Sequence, residues 1–477
     1  MASKTTKLLG LAALSRALVL VGIVLSDAAF VDLDTSASQQ NRPCDRQCSG
    51  TGTSCLASGS AHTTIFDDVS AWDSVFFVRV AKCGYETDMI NAFFPLLPLV
   101  MRLGSAFLLP LHGLMPLESL LTLAGLLINI AAFSAAALAL WRLSVQVLGD
   151  ERWADAAVLF FCINPASVFY SAAYTESLFA AFTFWGMLLV YTNPWTAVAA
   201  FTLAAMARSN GILGCWFLMH ALLSSTFRTG RVSWTGVLRC WIGCLTICAP
   251  YALMQVRGYL TYCGVGRDAA LQPPPWCQST LPSLYGHVQR QYWDVGFLRF
   301  YSKLDRWPKV LQSIPVAALS FAGCWTWACA DWACALSLGM ACRAPARPLS
   351  PLARTGSGAG PLRRPARWAP GPPPSRRGGV GAAFHTLGAG VAQPCAWPPE
   401  APALAPYIYH WALMTAVAAT AMHVNVATRF LSSCPPLYWY AAAWIKQGRR
   451  PALVLWGWAL AFTVLGTLLL PNFYPWT

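Results

Sequence analysis

Residues 154–191 read ADAAVLFFCINPASVFYSAAYTESLFAAFTFWGMLLVY. The stretch carries two charged residues, Asp155 near its start and Glu176 past its middle. A run this long and apolar belongs in a membrane or in the core of a large bundle. It is broken at Asn164-Pro165, because proline removes a backbone donor and pushes the residue before it out of helix. The reading is a short helix, a break, and a longer helix that begins near Tyr174-Thr175-Glu176. A break at membrane depth is tolerated only where protein or a cavity covers it. The side of the membrane on which Glu176 lies stays open at this point.

The rest of the chain agrees with a membrane reading. Of 477 residues, 56% are hydrophobic and 11% charged, with 22 Trp and 24 Phe. A soluble domain carries about 25% charge. The fold class expected is an all-α polytopic membrane protein, one domain over 1–477, with roughly eight to eleven transmembrane helices. The net charge of +14 is not a nucleic-acid signature. Eight Arg fall between 343 and 377 (Arg343, Arg347, Arg354, Arg363, Arg364, Arg367, Arg376, Arg377), with no Asp, Glu or Lys among them. Residues 343–401 are Arg, Pro, Gly and Ala without periodicity, expected to form a disordered cytosolic insert.

Lys4 and Lys7 precede an apolar run, Leu8–Val24, interrupted by Arg16. It reads as a cleaved signal peptide or as an uncleaved first span, and the two lysines favour the span with its N-terminus in the cytosol. Residues 27–92 then form a luminal loop. Its first half, Thr35–Ser60, is turn-rich and expected to be poorly ordered. Val75, Phe76, Val78 and Val80 suit a helix lying on the membrane surface. Further spans are expected over Phe93–Leu111, Leu117–Trp141, Trp195–Ala207, Ile212–Leu223, Val237–Met254, Gln312–Ala341, Tyr407–Val426, Leu437–Trp444 and Leu453–Leu470.

Seventeen cysteines are present. Those in apolar runs (Cys162, Cys215, Cys244, Cys248, Cys324, Cys329, Cys334) are expected to be inert small hydrophobes. Cys44, Cys48, Cys55 and Cys83 share the first polar loop, and Cys263 and Cys277 a later one. Disulfides are expected among them if the loop faces an oxidising lumen, with the pairing unread. No Cys-x-x-Cys pair recurs at zinc spacing and histidine is sparse, so neither a metal nor a cofactor is expected.

Asp73, beside Trp72, is an acid at the mouth of a hydrophobic bundle. Such a group is solvated, paired or used; the bland alternative is a loop Asp capping a helix over Ser74–Val80. Glu176 is the competing carboxylate, used or paired inside the bundle with Arg208.

Several segments, in order, resemble one family, the GPI mannosyltransferase 2 or PIG-V type. They are Ser-Ala-Trp-Asp (70–73), Asn-Ala-Phe-Phe-Pro-Leu-Leu-Pro (91–98), Asn-Pro-Ala-Ser-Val-Phe with Tyr-Thr-Glu-Ser-Leu-Phe-Ala (164–180) and Ala-Arg-Ser-Asn-Gly (207–211). Pro-Pro-Trp-Cys (274–277), Tyr-Trp-Asp-Val-Gly-Phe-Leu-Arg-Phe-Tyr (292–301), Met-His-Val-Asn-Val-Ala-Thr-Arg-Phe-Leu (422–431) and the terminal Pro-Trp-Thr (475–477) complete the set. The likeness leaves out 31–62 and 343–401.

The resemblance implies an endoplasmic-reticulum membrane enzyme with the GT-C type glycosyltransferase fold. It implies addition of the second mannose, in α1,6 linkage, to a GPI glycolipid acceptor that bears one mannose. The donor implied is dolichyl-phosphate mannose, used on the luminal side. Membrane lipids are the surroundings, nucleic acid is not a partner, and protein subunits are not readable. A β-linked donor and an α product require inversion, hence one base for the acceptor hydroxyl and donors for the leaving phosphate. Asp73 is the expected base, with Trp72 against sugar or lipid. Arg208 and Arg429, with His423, are expected at the donor phosphate, where the Arg fork suits best. Trp293 and Asp294 are expected to position acceptor, or Asp294 to cap a helix. Rival readings are another lipid-linked glycosyltransferase and a non-catalytic transporter or scaffold; the lack of matched internal repeats argues against a transporter, and a scaffold would not need Asp73.

Overall fold

The computed structural model describes residues 2–31, 33, 44, 68–111, 113–264, 273–341, 397 and 401–476. The expectations of disorder at 35–60 and in the 343–401 insert lie outside those residues, apart from Cys44, Trp397 and Ala401. Among the described residues the chain is all-α.

Helix α1 spans Ala2–Ala29, α2 Asp73–Cys83, α3 Leu96–Phe107 and α4 Leu117–Leu148. Gly149, at φ 71°, ends α4. Asp150 then caps α5, Glu151–Cys162, by accepting the Arg152 N–H at 2.7 Å. The break at Asn164 is closed by its own side chain, whose Nδ2 donates to the Phe161 carbonyl and whose Oδ1 accepts the Ala166 N–H. A short α6, Ser167–Ser171, follows, and a second break precedes α7, Glu176–Leu189. The sequence marked only the first break, since the second has no proline.

Carbonyls freed at the first break find an unexpected partner. Arg16, midway along α1 and fully buried, donates to the carbonyls of Cys162 (2.8 Å) and Ser167 (2.6 Å) and lies over the Phe133 ring. Removing α1 would strip donors from a buried helix break. The packing therefore makes α1 part of the bundle and supports the retained-span reading.

Helices α8 (Pro194–Ala207), α9 (Cys215–Thr229), α10 (Trp234–Tyr262) and α11 (Leu284–Trp293) continue the chain. Then come α12 (Trp307–Ala330), α13 (Trp332–Leu336), α14 (Ala401–Thr420), α15 (Ala427–Leu431), α16 (Pro435–Gln447) and α17 (Arg449–Leu469). Among the described residues five helices are long and apolar enough to cross a membrane: α1, α4, α10, α12 and α17. The eight to eleven passes expected counted shorter apolar runs as spans. Such runs give α3, α7 and α8, the last two of 14 residues, about 21 Å against a hydrocarbon core of about 30 Å.

The bundle has two ends. At one, Lys4 bonds Glu151 (2.6 Å), and Trp141 bonds Asp155 (2.8 Å) beneath the Lys4 ammonium. The C-terminal end of α7 lies nearby, with Arg142 over Trp185. Glu176, at the start of α7, is therefore directed toward the other end, where Asp73 lies. The side left open by the sequence is resolved in relative terms: the two carboxylates share an end.

Three expectations are corrected. Helix α2 was expected to lay its apolar face on lipid, but Val75, Val78 and Val80, with Phe77, are buried in protein against α3 and α4. Phe76 is partly buried against the same core. An amphipathic pattern fixes which face is covered, not what covers it. The expected span Phe93–Leu111 yields only the short α3. Cys334 is disulfide-bonded, not inert. The polar-loop cysteines pair as Cys44–Cys83 and Cys263–Cys277; Cys48 and Cys55 lie outside the described residues.

Candidate functional site

Four of the ionisable residues singled out in the sequence meet in one cluster. Arg429, on the one-turn helix α15, donates through Nε to Glu176 Oε1 at 2.8 Å and through Nη1 to Asp73 Oδ2 at 3.1 Å. Arg208 donates through Nη1 to the same Glu176 oxygen at 2.6 Å and reaches Thr175 Oγ1 at 3.5 Å. Two acids and two arginines thus balance in charge. The Arg429 guanidinium lies over the rings of Phe169 (4.3 Å) and Tyr174 (4.8 Å), which hold its plane by cation–π contact.

Each member comes from a place where a helix begins or ends. Asp73 starts α2 and Glu176 starts α7, where helix N-termini favour anions. Arg208 is an extended residue between α8 and the 3-10 turn Ser209–Gly214. That turn folds back so tightly that a Cβ on Gly211 would lie 2.3 Å from the Ala205 backbone nitrogen. The glycine of Ala-Arg-Ser-Asn-Gly is therefore needed for close approach.

The two acids differ in access. Glu176 is 2% exposed, and its second oxygen, Oε2, is sealed without a hydrogen-bond partner. The Asp73 side chain is 36% exposed, and Trp72 beside it 37%. Among the described residues only Oδ2 of Asp73 is engaged, so Oδ1 stays open to an incoming hydroxyl.

Trp293, Asp294 and His423 lie in a second cluster. Asp294 caps the end of α11 in left-handed geometry (φ 50°) and pairs with Arg299 (2.9 Å), Arg306 (2.9 Å) and Lys303 (3.7 Å). The Arg306 hydrogen bond, with the neighbouring cations, holds its carboxyl below the usual range. His423 meets the Trp293 carbonyl through Nε2 and stacks edge-on with Phe300. Burial, with Arg306 and Lys309 adding, pushes its pKa down. Phe93 links the clusters, edge-on to Trp293 at 6.1 Å and to Phe77 of α2 at 5.1 Å.

The His/Cys/Asp/Glu group close enough to share an ion, among the described residues, is Cys44, Cys83 and Glu86. Its two cysteines form a disulfide and Glu86 pairs with Arg79 at 2.8 Å. The residues fit a covalent staple, not a metal centre. Sequence reasoning gave no role to Phe169 or Tyr174, whose contacts with Arg429 come from packing, although both lie in the segments quoted around Glu176.

The family model described as Mannosyltransferase (PIG-V) matches residues 5–477. The chain is 31% identical over 430 residues to the GPI alpha-1,6-mannosyltransferase 2 of Mus musculus, covering 83% of this chain and 77% of that one. It is 30% identical to the Homo sapiens protein of that name over 411 residues (81% and 74%), and 27% identical to the Drosophila melanogaster GPI mannosyltransferase 2 over 443 residues (85% and 86%). No solved structure matches. Four of the segments that resemble this family supply Asp73, Glu176, Arg208 and Arg429, and the chain belongs to the PIG-V mannosyltransferase family.

Proposed function

We propose that this mannosyltransferase transfers the second mannose of the GPI core, in α1,6 linkage, from dolichyl-phosphate mannose to a GPI glycolipid bearing one mannose. The names of its relatives support the linkage and the pathway. The observation that carries the mechanism is the single guanidinium of Arg429 shared between an open acid, Asp73, and a sealed one, Glu176.

Inversion in one displacement needs a base that the acceptor 6-hydroxyl can reach. Asp73 meets that need: Oδ1 accepts the hydroxyl proton while Arg429 steadies Oδ2. Glu176 does not, since two arginines hold one oxygen and protein covers the other. Its role is to hold Arg208 and Arg429 in place. No acid is required, because phosphate leaves as an anion. Arg208 uses Nη1 for its protein contacts, and the rest of its fork faces the task of steadying that phosphate. Trp72 supplies an apolar face for the sugar or the lipid. The contacts of Trp293, Asp294 and His423 make them supports of the loop beside the site.

The site end carries both the Cys44–Cys83 loop and the Cys263–Cys277 loop, and disulfides persist in oxidising compartments. This supports a luminal site in the endoplasmic-reticulum membrane. The test is lipid analysis of cells lacking the protein. The expected result is accumulation of the GPI intermediate with one mannose, cleared by the wild-type chain and not by Asp73→Asn. Accumulation of a different intermediate removes the reaction; clearance by Asp73→Asn removes the base.

A further inference from the structure

Trp72 occupies a backbone position made for glycine. Its φ of 58° and ψ of −122° match the first central residue of a type II′ turn, about +60° and −120°. The Ser74 N–H closes the turn by donating to the Ala71 carbonyl at 3.3 Å. A side chain there is strained, and such strain persists only where its surroundings enforce it.

The enforcing group is one phenol. The Tyr174 hydroxyl donates to the Ala71 carbonyl at 3.1 Å and accepts the Asp73 N–H at 3.2 Å. It straddles Trp72, gripping the peptide groups before and after it, as a hydroxyl with one donor and two lone pairs allows. Tyr174 is itself fixed. It is 1% exposed, its ring meets Phe169 edge-on at 5.2 Å, and Asn129 on α4 donates to the carbonyls of Ala172 (2.6 Å) and Tyr174 (2.9 Å). A rigid chain thus runs from the middle of α4, through the second break, to the strained turn that ends in Asp73.

We infer that Tyr174 is the positioning residue of this site: its hydroxyl holds Trp72 in the glycine conformation, and so aims the Asp73 carboxylate toward Arg429 while leaving the indole exposed. It does not touch the reacting atoms, and it moves no proton to them. The inference rests on Asp73 as the base. Without the hydroxyl, the turn relaxes and the carboxylate shifts; a misplacement of about 1 Å costs on the order of 10²-fold in rate.

The experiment compares the full-length wild type, Tyr174→Phe, Asp73→Asn and the double variant, with dolichyl-phosphate mannose and the one-mannose acceptor. Phenylalanine keeps the ring under Arg429. Tyr174→Phe is expected to lower kcat about 10- to 100-fold, to leave donor KM nearly unchanged, and to keep the wild-type pH profile. In the Asp73→Asn background the same change is expected to have no further effect. Wild-type kcat in Tyr174→Phe overturns the clamp while leaving the base intact, as does an undiminished loss in the double variant. Wild-type activity in Asp73→Asn overturns the base reading, and the clamp with it. Thermal unfolding supplies a check that is independent of activity. Glycine at 72 needs no clamp, so Tyr174→Phe is expected to lower Tm less in a Trp72→Gly background than alone. If Tyr174→Phe does not fold alone, Trp72→Gly is expected to restore folded protein. An equal Tm loss in both backgrounds, or failure of the glycine to rescue, overturns the strained turn.

Discussion

The molecule holds two ionic clusters within one end of its bundle, and they are built on opposite plans. Around Glu176, two acids and two arginines balance, three of the four are largely buried, and each is delivered by a helix terminus. Around Asp294, one acid faces three cations on a single loop, and Arg299 and Lys303 are 57% exposed. Exposed pairs are weakened by solvent and contribute little, whereas breaking a buried pair leaves a charge without compensation. The difference teaches that the residues worth betting on are those whose partners come from far along the chain. Asp73 and Arg429 are brought together by the whole fold; Asp294 and Arg306 meet whenever one loop is formed.

The comparison predicts a ranking. Asp73→Asn keeps the shape and the Arg429 contact but removes the base, so kcat is expected to fall about 10²- to 10⁴-fold with little change in Tm, read by mannosyl transfer in detergent. A small loss of rate would place the base elsewhere and erase the functional half of the contrast. Arg429→Ala comes next. It strips Asp73 of its cation and leaves Glu176 with Arg208 alone, an effect of about 3–5 kcal/mol on stability, and is expected to raise donor KM more than acceptor KM. Arg429→Lys keeps a charge but loses the fork, and is expected to recover stability more than donor affinity. Equal effects on the two KM values would count against a role at the donor. Gly211→Ala follows, at about 1–3 kcal/mol. Its methyl meets backbone and pushes the 209–214 turn off α8, carrying Arg208 with it. The check is a fall in activity exceeding that of an alanine placed at the exposed Thr196.

Much of this was legible in the sequence, and the failures have physical causes. Apolar composition exposed the bundle. Charged residues in apolar or aromatic settings exposed Asp73, Glu176 and Arg208, because an isolated charge there demands a partner; Arg429 came into view only through the resemblance. Tyr174 and Asn129 gave no such signal, since neutral polar residues are common in apolar helices and their work is done by backbone contacts from α4 and the α6–α7 break. Trp72 was read as an aromatic beside an acid; its glycine-like backbone is set by a tyrosine about a hundred residues away and leaves no local trace. The roles first given to Asp294 and His423 came with the resemblance; in the fold Asp294 is occupied by cations of its own loop, and His423 by the Trp293 carbonyl and the Phe300 ring, far along the chain. Helix α2 was misplaced on lipid because periodicity reports a covered face and nothing about the cover.

The smallest effect belongs to the loop. Asp294→Asn is expected to change activity by less than about twofold, since exposed pairs are weak, and to make the enzyme less sensitive to acid. The sign follows from the lowered carboxyl pKa, caused first by the Arg306 hydrogen bond. A depressed acid stabilises the fold above its ordinary value of 3.8, and that contribution is lost as pH falls through the lower folded value. His423 acts earlier in the same direction. Burial keeps it neutral in the fold, so below its ordinary 6.5 the unfolded chain takes up a proton that the folded one refuses, and stability drops. Acid titration of Tm should therefore show a decline beginning near pH 6.5 that His423→Gln lessens, and a later one that Asp294→Asn lessens. If Asp294→Asn instead abolished transfer at neutral pH, the loop would belong to the catalytic cluster, and the distinction between local and long-range partners would no longer separate support from chemistry.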